Sequence, residues 1–191
     1  MKKILFFFLI YPSSLFSQQK DFSPRPSFDA FFSDSKPVLD GNIISDAFWV
    51  NVPVLKDKMI QQKPFLGLES SENTEIRITY NNSTLFLGVV CYDSSPNTLI
   101  VSDSRRDSDL SDDDSFLFII DTYNDQQNGF LFGTNSDGME YDAQIDNEGV
   151  GNRTAQRQQG GVVGGTNVNW DTSWSVKTEK NDYGWSAEFA I

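Results

Sequence analysis

The chain has 191 residues, with 15 Lys and Arg against 27 Asp and Glu, one Cys and no His, which is enough for one domain of ordinary size. The lack of His excludes Ser-His-Asp and Cys-His catalytic sites and every zinc or non-haem iron site that depends on imidazole, and one Cys cannot form an internal disulfide. A formal net charge of -12 at pH 7 argues against nucleic acid or anionic lipid as a partner, and leaves an acidic, aromatic domain with oxygen ligands to offer a metal.

Residues 1–17 have the pattern of a secretory signal peptide. Lys2 and Lys3 precede an apolar run from Ile4 to Ile10, and cleavage is expected after Ser17. The run is too short to span a membrane, and no later stretch is long and apolar enough for a transmembrane helix. We therefore expect an exported protein, in the periplasm, at the cell surface or outside the cell. Residues 18–36 are predicted to be an extended lead-in.

Short strand patterns recur between residues 37 and 191. Glu75–Tyr80 alternates polar and apolar residues, and Leu85–Tyr92 follows after a turn, which is typical of a β-hairpin. Further strands are predicted at 98–102, 115–121, 129–133, 139–145, 172–178 and 183–190, the last two joined by a four-residue loop at 179–182. Ser45 is expected to cap one short helix near the N-terminus that places Phe48 and Trp49 against a core. The pattern predicts an all-β fold, an antiparallel β-sandwich, with long loops at 58–73 and 146–169.

The most acidic segment is the loop Asp103–Asp114, which holds six carboxylates in twelve residues. Ca²⁺ accepts six to eight oxygen ligands from carboxylates and carbonyls, so the loop is a candidate structural calcium site, with Asp112 and Asp114 as its expected ligands. The alternative is a solvated acidic loop in which Arg105 and Arg106 are the internal partners.

The last quarter of the chain is rich in tryptophan, with Trp170, Trp174 and Trp185. A flat indole stacks on the C–H face of a sugar ring, while neighbouring polar side chains bond its hydroxyls. The alternative is that Trp174 and Trp185, on alternating strands, fill the interior of the sandwich. Trp170 is the best candidate to be exposed, because it stands in a loop after Asn167 and Asn169.

Several stretches taken together resemble the family nine carbohydrate-binding module found near the N-terminus of exported bacterial proteins. They are Leu39–Asn42, Asp46–Trp49, Thr74–Asn81 with Leu85–Val89, Ser104–Asp107, Asp113–Ser115, Ile120–Thr122 and Trp185–Ile191. The resemblance implies a jelly-roll sandwich with structural Ca²⁺ and a pair of aromatic rings that grip sugar chain ends. It also implies a large C-terminal region, often associated with the outer membrane, in proteins linked to O-glycosyl hydrolysis.

These observations predict non-catalytic binding of a poly- or oligosaccharide, in the service of carbohydrate catabolism by a longer protein. Trp174 and Trp170 are expected to stack on the sugar, and Arg77 and Glu75 to hydrogen-bond its hydroxyls. No catalysis is expected in residues 37–191. Because the sequence ends within an alternating strand, we expect a truncated module with a C-terminal continuation. Two alternatives are open: a structural or docking domain of a surface protein, and an accessory segment of a glycoside hydrolase whose catalytic part lies downstream.

Overall fold

A computed structural model describes residues 27–55, 58–149, 162–163 and 165–191. In these residues eleven β-strands form two sheets, and the three helices are single 3-10 turns. The strands are β1 (Phe31–Phe32), β2 (Val54–Leu55), β3 (Thr74–Tyr80), β4 (Leu85–Tyr92), β5 (Ser115–Ile120), β6 (Gly129–Asn135), β7 (Tyr141–Ile145), β8 (Val162–Val163), β9 (Thr166–Asn167), β10 (Ser175–Asn181) and β11 (Gly184–Ala190). The turns are η1 (Trp49–Asn51), η2 (Pro96–Thr98) and η3 (Asn147–Gly149). The predicted all-β fold is confirmed.

The first sheet has the strand order β1-β3-β4-β11-β10, with β2 also paired to β3. Strand β1 runs parallel to β3, and the other pairs are antiparallel. The hairpin predicted from Glu75 to Tyr92 is confirmed as β3 and β4, with Tyr80 opposite Leu85. The carboxamide oxygen of Asn81 accepts hydrogen bonds from the backbone N–H groups of Ser83 and Thr84, each 2.9 Å long, which fixes the tight turn.

The second sheet has the strand order β5-β6-β7-β9-β8, and all its pairs are antiparallel. Its inner face carries Phe116, Phe118 and Phe132, which meet the first sheet at Phe189 of β11. The ring of Phe118 meets that of Phe189 edge-on at a centroid distance of 5.1 Å. Aromatic rings therefore form the contact between the two sheets at this point.

The outer face of the first sheet has a small core of its own. Residues 40–52 cross this face and bury Ile43, Trp49 and Val52 against Phe86 and Val90 of β4. The crossing is close enough to require a glycine at position 88, since a Cβ there would lie 2.9 Å from Ile43 Cδ1 and 3.0 Å from the Trp49 ring.

A buried carboxylate holds the crossing segment in place. Glu188 of β11 is 0% exposed; its Oε2 accepts the N–H groups of Asp40 and Gly41 at 2.7 Å, and its Oε1 accepts the indole N–H of Trp49. Burial raises the pKa of Glu188 above its ordinary value, although the three donors oppose that shift. Three of the stretches that carry the family resemblance, at 39–42, 46–49 and 185–191, thus meet in one structural cluster.

Three local predictions are wrong. The short helix near the N-terminus is present as the 3-10 turn η1, but its predicted cap is wrong: Phe48 is at the N-cap, and the Ser45 hydroxyl donates to Asn42 Oδ1. Residues 98–102 form no strand, because their backbone runs from η2 into contacts with the acidic loop. The last hairpin has a two-residue turn, because the Asn181–Gly184 pair extends β10 into the predicted loop.

The signal peptide predicted at 1–17 and much of the loop predicted at 146–169 lie outside the described residues, while β8 and β9 lie within that loop. The sheet also begins earlier than residue 37, because β1 lies in the predicted lead-in. Among the residues described, there is no helix with the length and apolar character needed to cross a membrane.

Candidate functional site

Trp174 lies in the core of the sandwich rather than on its surface. Its side chain is 8% exposed, one face stacks on Phe189 at 5.9 Å and 8°, and Phe132 meets it edge-on at 5.3 Å. A sugar needs an accessible ring face to stack on, and both neighbours occupy that space. The expected stacking role of Trp174 is therefore corrected to a packing role, the alternative that the sequence left open.

Trp170 is half-buried at the end of the second sheet. Its indole stacks on Phe130 of β6 at a centroid distance of 4.5 Å and an angle of 23°, and it meets Phe132 at 6.2 Å. One face of the ring is therefore used by the protein. The stacking role of Trp170 stays a prediction, limited to the face away from Phe130.

Arg77 and Glu75 lie on the outer face of the first sheet, on the far side of β3 from Trp174. Their side chains form an ion pair at 3.0 Å, and Tyr92 donates to Glu75 at 3.3 Å. The Nε and Nη1 atoms of Arg77 are buried without a hydrogen-bond partner. Because these donors are closed to solvent, they do not offer a sugar hydroxyl a contact as they stand. The structure thus brings Arg77 and Glu75 together but separates them from both tryptophans.

The carboxylates of the acidic loop bind its own backbone. Asp113 Oδ1 accepts the N–H of Ser102 at 2.7 Å, Asp114 Oδ2 accepts the N–H of Ile100, and Asp112 is exposed. In the described part of the chain, no three acidic side chains or cysteines converge in a way that would hold a metal. Asp112 and Asp114 stay predicted ligands, with Asp114 already bonded to the Ile100 N–H. The calcium ion stays a prediction.

Arg106 is the main link between the acidic loop and the sandwich. Its guanidinium contacts Glu140 at 2.9 Å, Asp142 at 2.6 Å and the carboxylate of Asp171. Asp142 is fully buried on β7 and also accepts the N–H of Thr172 at 3.0 Å. Arg105 pairs with Asp103 inside the loop, as the solvated-loop alternative expected. Arg106 instead pairs mainly with carboxylates outside the loop, and within the loop it contacts Asp107 at 3.7 Å.

A cleft of about 480 Å³ opens at one end of the second sheet. We call it the amide cleft. It is lined by Ile119, Asp121, Gln126, Gln127, Asn128, Gly129, Ile145, Glu148 and Gly149. Ile119 and Ile145 form an apolar floor, and amide and carboxylate side chains form the rim. Gly129 keeps the floor open, because a Cβ there would lie 3.0 Å from Ile119 Cγ2.

The loop that forms one wall of the amide cleft is held by carboxylates. Asp121 accepts the N–H groups of Asp125 and Gln126, and Asp125 accepts those of Gln127 and Asn128. The bonds from Asn128 and Gln127 lower the pKa of Asp125. Glu148 closes the opposite wall, since its N–H donates to Gln127 O at 2.8 Å. These bonds hold the backbone of both walls in place, together with the carboxylates of Asp121 and Asp125.

Backbone strain is concentrated around this cleft. Of the five non-glycine residues described with positive φ, four lie beside it: Asn124, Gln126, Asn147 and Glu148. Such conformations are costly for residues with a Cβ, and they persist where the surrounding structure imposes them, most often at binding sites. Tyr123 stands in the same loop and is 73% exposed, which leaves its ring open to a ligand.

A second cleft, of about 450 Å³, lies in the acidic loop and is lined by Ser102, Asp103, Arg105, Ser108, Asp109, Ser111 and Asp112. Its lining is hydroxyl and charged, with no apolar floor. The Arg105 guanidinium beside Asp103 holds the pKa of that carboxyl well below its usual range. The acidic-loop cleft offers hydrogen bonds to a sugar but no surface for its C–H face.

No protein-family model matches the chain, and a search of curated proteins finds no significant match. Solved structures do resemble it. A family 9 carbohydrate-binding module from Caldicellulosiruptor kristjanssonii in complex with glucose has a TM-score of 0.51 at 16% identity, over 85% of this chain and 68% of that one. Its complex with cellotriose has a TM-score of 0.48 at 17% identity, over 85% and 67%. The chain has the family 9 fold.

Sequence reasoning missed the amide cleft, although the family 9 fold was expected from the motifs. The signal was present in Asp121–Asn128, a run of acids and amides between two strands with Tyr123 inside it. It reads as an ordinary turn because a cleft exists only once Glu148 and Ile145 of another segment close its other side. Sequence spacing alone does not bring these segments together.

Proposed function

We propose that this chain binds carbohydrate non-covalently, with no catalysis of its own, at the amide cleft. The observation that carries the proposal is the cleft itself, which is lined by two isoleucines together with amide and carboxylate side chains. A sugar ring has the same two-sided character, with an apolar face and a polar edge. The likeness of the fold to a module solved in complex with glucose supports the assignment.

The rim supplies both kinds of hydrogen-bonding group that a hydroxyl needs. The side-chain amides of Gln127 and Asn128 both donate and accept, while Asp121 and Glu148 accept. Asn128 is oriented by the bond from its Nδ2 to Asp125 Oδ2 at 2.7 Å, which leaves its Oδ1 to accept from a ligand. A neutral sugar suits this rim better than an anionic one, because Asp121 and Glu148 repel a negative group.

Tyr123 provides the aromatic surface. Its ring is more exposed than that of any other large aromatic residue described, and it stands in the loop that forms the wall of the cleft. Stacking on such a ring contributes about 0.5–1.5 kcal/mol beyond its buried area. This role replaces the one that the sequence placed on Trp174.

Calorimetric titration with glucose, cellotriose and a panel of plant and algal oligosaccharides tests the proposal. We expect binding by the wild-type chain and about a fivefold loss for Gln127→Ala, since one hydrogen bond contributes about 1 kcal/mol. Tyr123→Ala should weaken binding by a similar factor. Ser108→Ala and Ser111→Ala in the acidic-loop cleft are matched controls that should bind as the wild type does.

Two results would count against the assignment. If the serine variants lose affinity while Gln127→Ala and Tyr123→Ala do not, the sugar binds at the acidic-loop cleft. If no oligosaccharide binds at millimolar concentration, the carbohydrate function itself is wrong. Trp170→Ala serves as a third probe, because a loss of affinity without a loss of stability would support the predicted stacking role of its free face.

We further propose that the module is exported and serves a longer protein in carbohydrate catabolism. The support is the signal-peptide pattern at 1–17 and the resemblance of the sequence motifs to family nine modules of longer exported proteins. Secretion assayed with residues 1–17 fused to a reporter tests the first point. The full-length reading frame tests the second, since it shows whether a C-terminal region follows.

A further inference from the structure

The edge strands of the two sheets differ in how well they are protected against pairing with a strand of another chain. In the first sheet the long edge strand is β10, which carries Lys177, Glu179 and Lys180, and its other edge, β1, has two residues. In the second sheet the edge strand β8 also has two residues, whereas β5 is a six-residue strand without a charged side chain. Charges and short length are the usual means by which proteins prevent an edge from pairing with another chain.

Strand β5 presents both free backbone and apolar side chains. It pairs with β6 on one side only. Segment 100–102 covers its beginning, where the N–H of Asp114 donates to Ile100 O at 2.8 Å, but no described loop hydrogen-bonds the backbone of Phe116–Ile120. On the outer face Leu117 is 41% exposed and Ile119 is 58% exposed. An edge of this kind is a template for an added strand.

The negative charges on both sides of β5 determine which charges a strand that pairs with it can carry at its ends. Asp112, Asp113 and Asp114 precede the strand, and Asp121 and Asp125 follow it. A second copy of this chain, paired antiparallel with Ser115 opposite Ile120, would place Asp114 opposite Asp121 at both ends of the pair. Like charges directly opposite one another are destabilising. The flanking carboxylates therefore disfavour self-association and favour a partner with basic ends.

We propose that the free edge of β5 is a docking site for an extended peptide strand of another protein, with alternating apolar residues and Lys or Arg at both ends. Backbone hydrogen bonds to β5 supply affinity without sequence preference, and Leu117 and Ile119 contact the apolar side chains of the added strand. The acidic ends on either side fix its register through the basic residues.

Fluorescence anisotropy with a labelled peptide of alternating valine and threonine, ending in lysine on both sides, tests the proposal. The matched peptide ends in glutamate. We expect the lysine peptide to bind about tenfold more tightly at low salt, with the difference shrinking as salt is added. Binding should slow amide exchange within Phe116–Ile120, as an added strand occupies those groups.

Two protein variants complete the test. Leu117→Lys places a charge on the edge and should weaken peptide binding by about tenfold, whereas Leu66→Lys, at an exposed leucine of the loop at 58–73, should have no effect. The proposal is overturned if neither peptide binds, if both bind equally, or if Leu117→Lys binds as the wild type does. It is also overturned if the wild-type chain elutes as a dimer that Leu117→Lys dissociates, since the occupant is then a second copy.

Discussion

The hydrogen bonds around the buried carboxylate of Glu188 lead to the largest change in stability that we predict for a single substitution. Replacing Glu188 by Ala removes the acceptor for three N–H groups, those of Asp40, Gly41 and Trp49. A buried donor left unsatisfied costs about 1–3 kcal/mol. Since Asp40 is partly solvated, and water enters the space that the side chain leaves, we expect a total loss of about 3–5 kcal/mol. That is a large share of the roughly 5–15 kcal/mol by which domains are stable.

Urea unfolding followed by tryptophan fluorescence and circular dichroism measures this loss. Glu188→Gln should lose only about 1–2 kcal/mol, because the amide oxygen keeps the Asp40 and Gly41 bonds while its NH2 group faces the indole N–H of Trp49. Glu179→Ala, on the exposed face of β10, is the matched control and should change stability by less than about 0.5 kcal/mol. A loss of under about 1 kcal/mol for Glu188→Ala would refute the reasoning.

The pH dependence of the same variants gives a second readout. The pKa of Glu188 is raised above 4.5 in the folded state by burial, so the folded chain binds more protons than the unfolded one between its ordinary pKa and the raised value. Stability therefore falls as pH rises through this window. Groups with lowered pKa values, such as Asp113 and Asp125, act in the opposite sense. The difference between wild type and Glu188→Gln isolates the Glu188 contribution, and a parallel pair of profiles would contradict the assigned burial.

Three further predictions concern other parts of the molecule. Gly88→Ala should destabilise the fold by about 1–3 kcal/mol in urea unfolding, because its Cβ would overlap Ile43 and Trp49; unchanged stability would contradict the close crossing. Cys91 is half-buried, and burial, with a smaller effect of Asp114, raises the pKa of its thiol to about 12. A disulfide reagent should therefore label the folded chain much more slowly than the chain unfolded in urea, and equal rates would contradict the raised pKa. Adding EDTA to a thermal melt tests the predicted calcium ion: a bound ion predicts a lower midpoint, and an unchanged midpoint removes the calcium proposal.

Strand patterns were readable where the sequence has period two and a turn residue at each end. Glu75–Tyr80 and the segment that became β11 satisfy both conditions. The segments that became β4 and β5 were readable instead as short apolar runs bounded by turn residues. The strand predicted at 98–102 is wrong because its apolar residues have different environments. Leu99 packs against the core, while Ile100 is exposed beside the acidic loop. Alternation over so few residues does not separate a strand from a crossing segment.

The roles of the aromatic residues depended on tertiary structure. Trp174 immediately precedes β10, but its burial depends on Phe189 and Phe132, which come from two other strands. In the same way, the sequence did not indicate the role of Glu188, because its hydrogen-bond partners Gly41 and Trp49 are far from it in the chain. Sequence pattern indicates which residue types suit a sugar, whereas exposure decides which of them can reach one.

Chemical-shift mapping of the ¹⁵N-labelled chain with cellotriose tests the central claim most directly, because it reports both binding and location. We predict saturable shifts at the backbone amides of Tyr123, Gln127, Asn128 and Glu148, with the amides of Ser108 and Ser111 unchanged. Shifts confined to the acidic-loop cleft, or a spectrum unchanged at millimolar sugar, would contradict carbohydrate binding at the amide cleft.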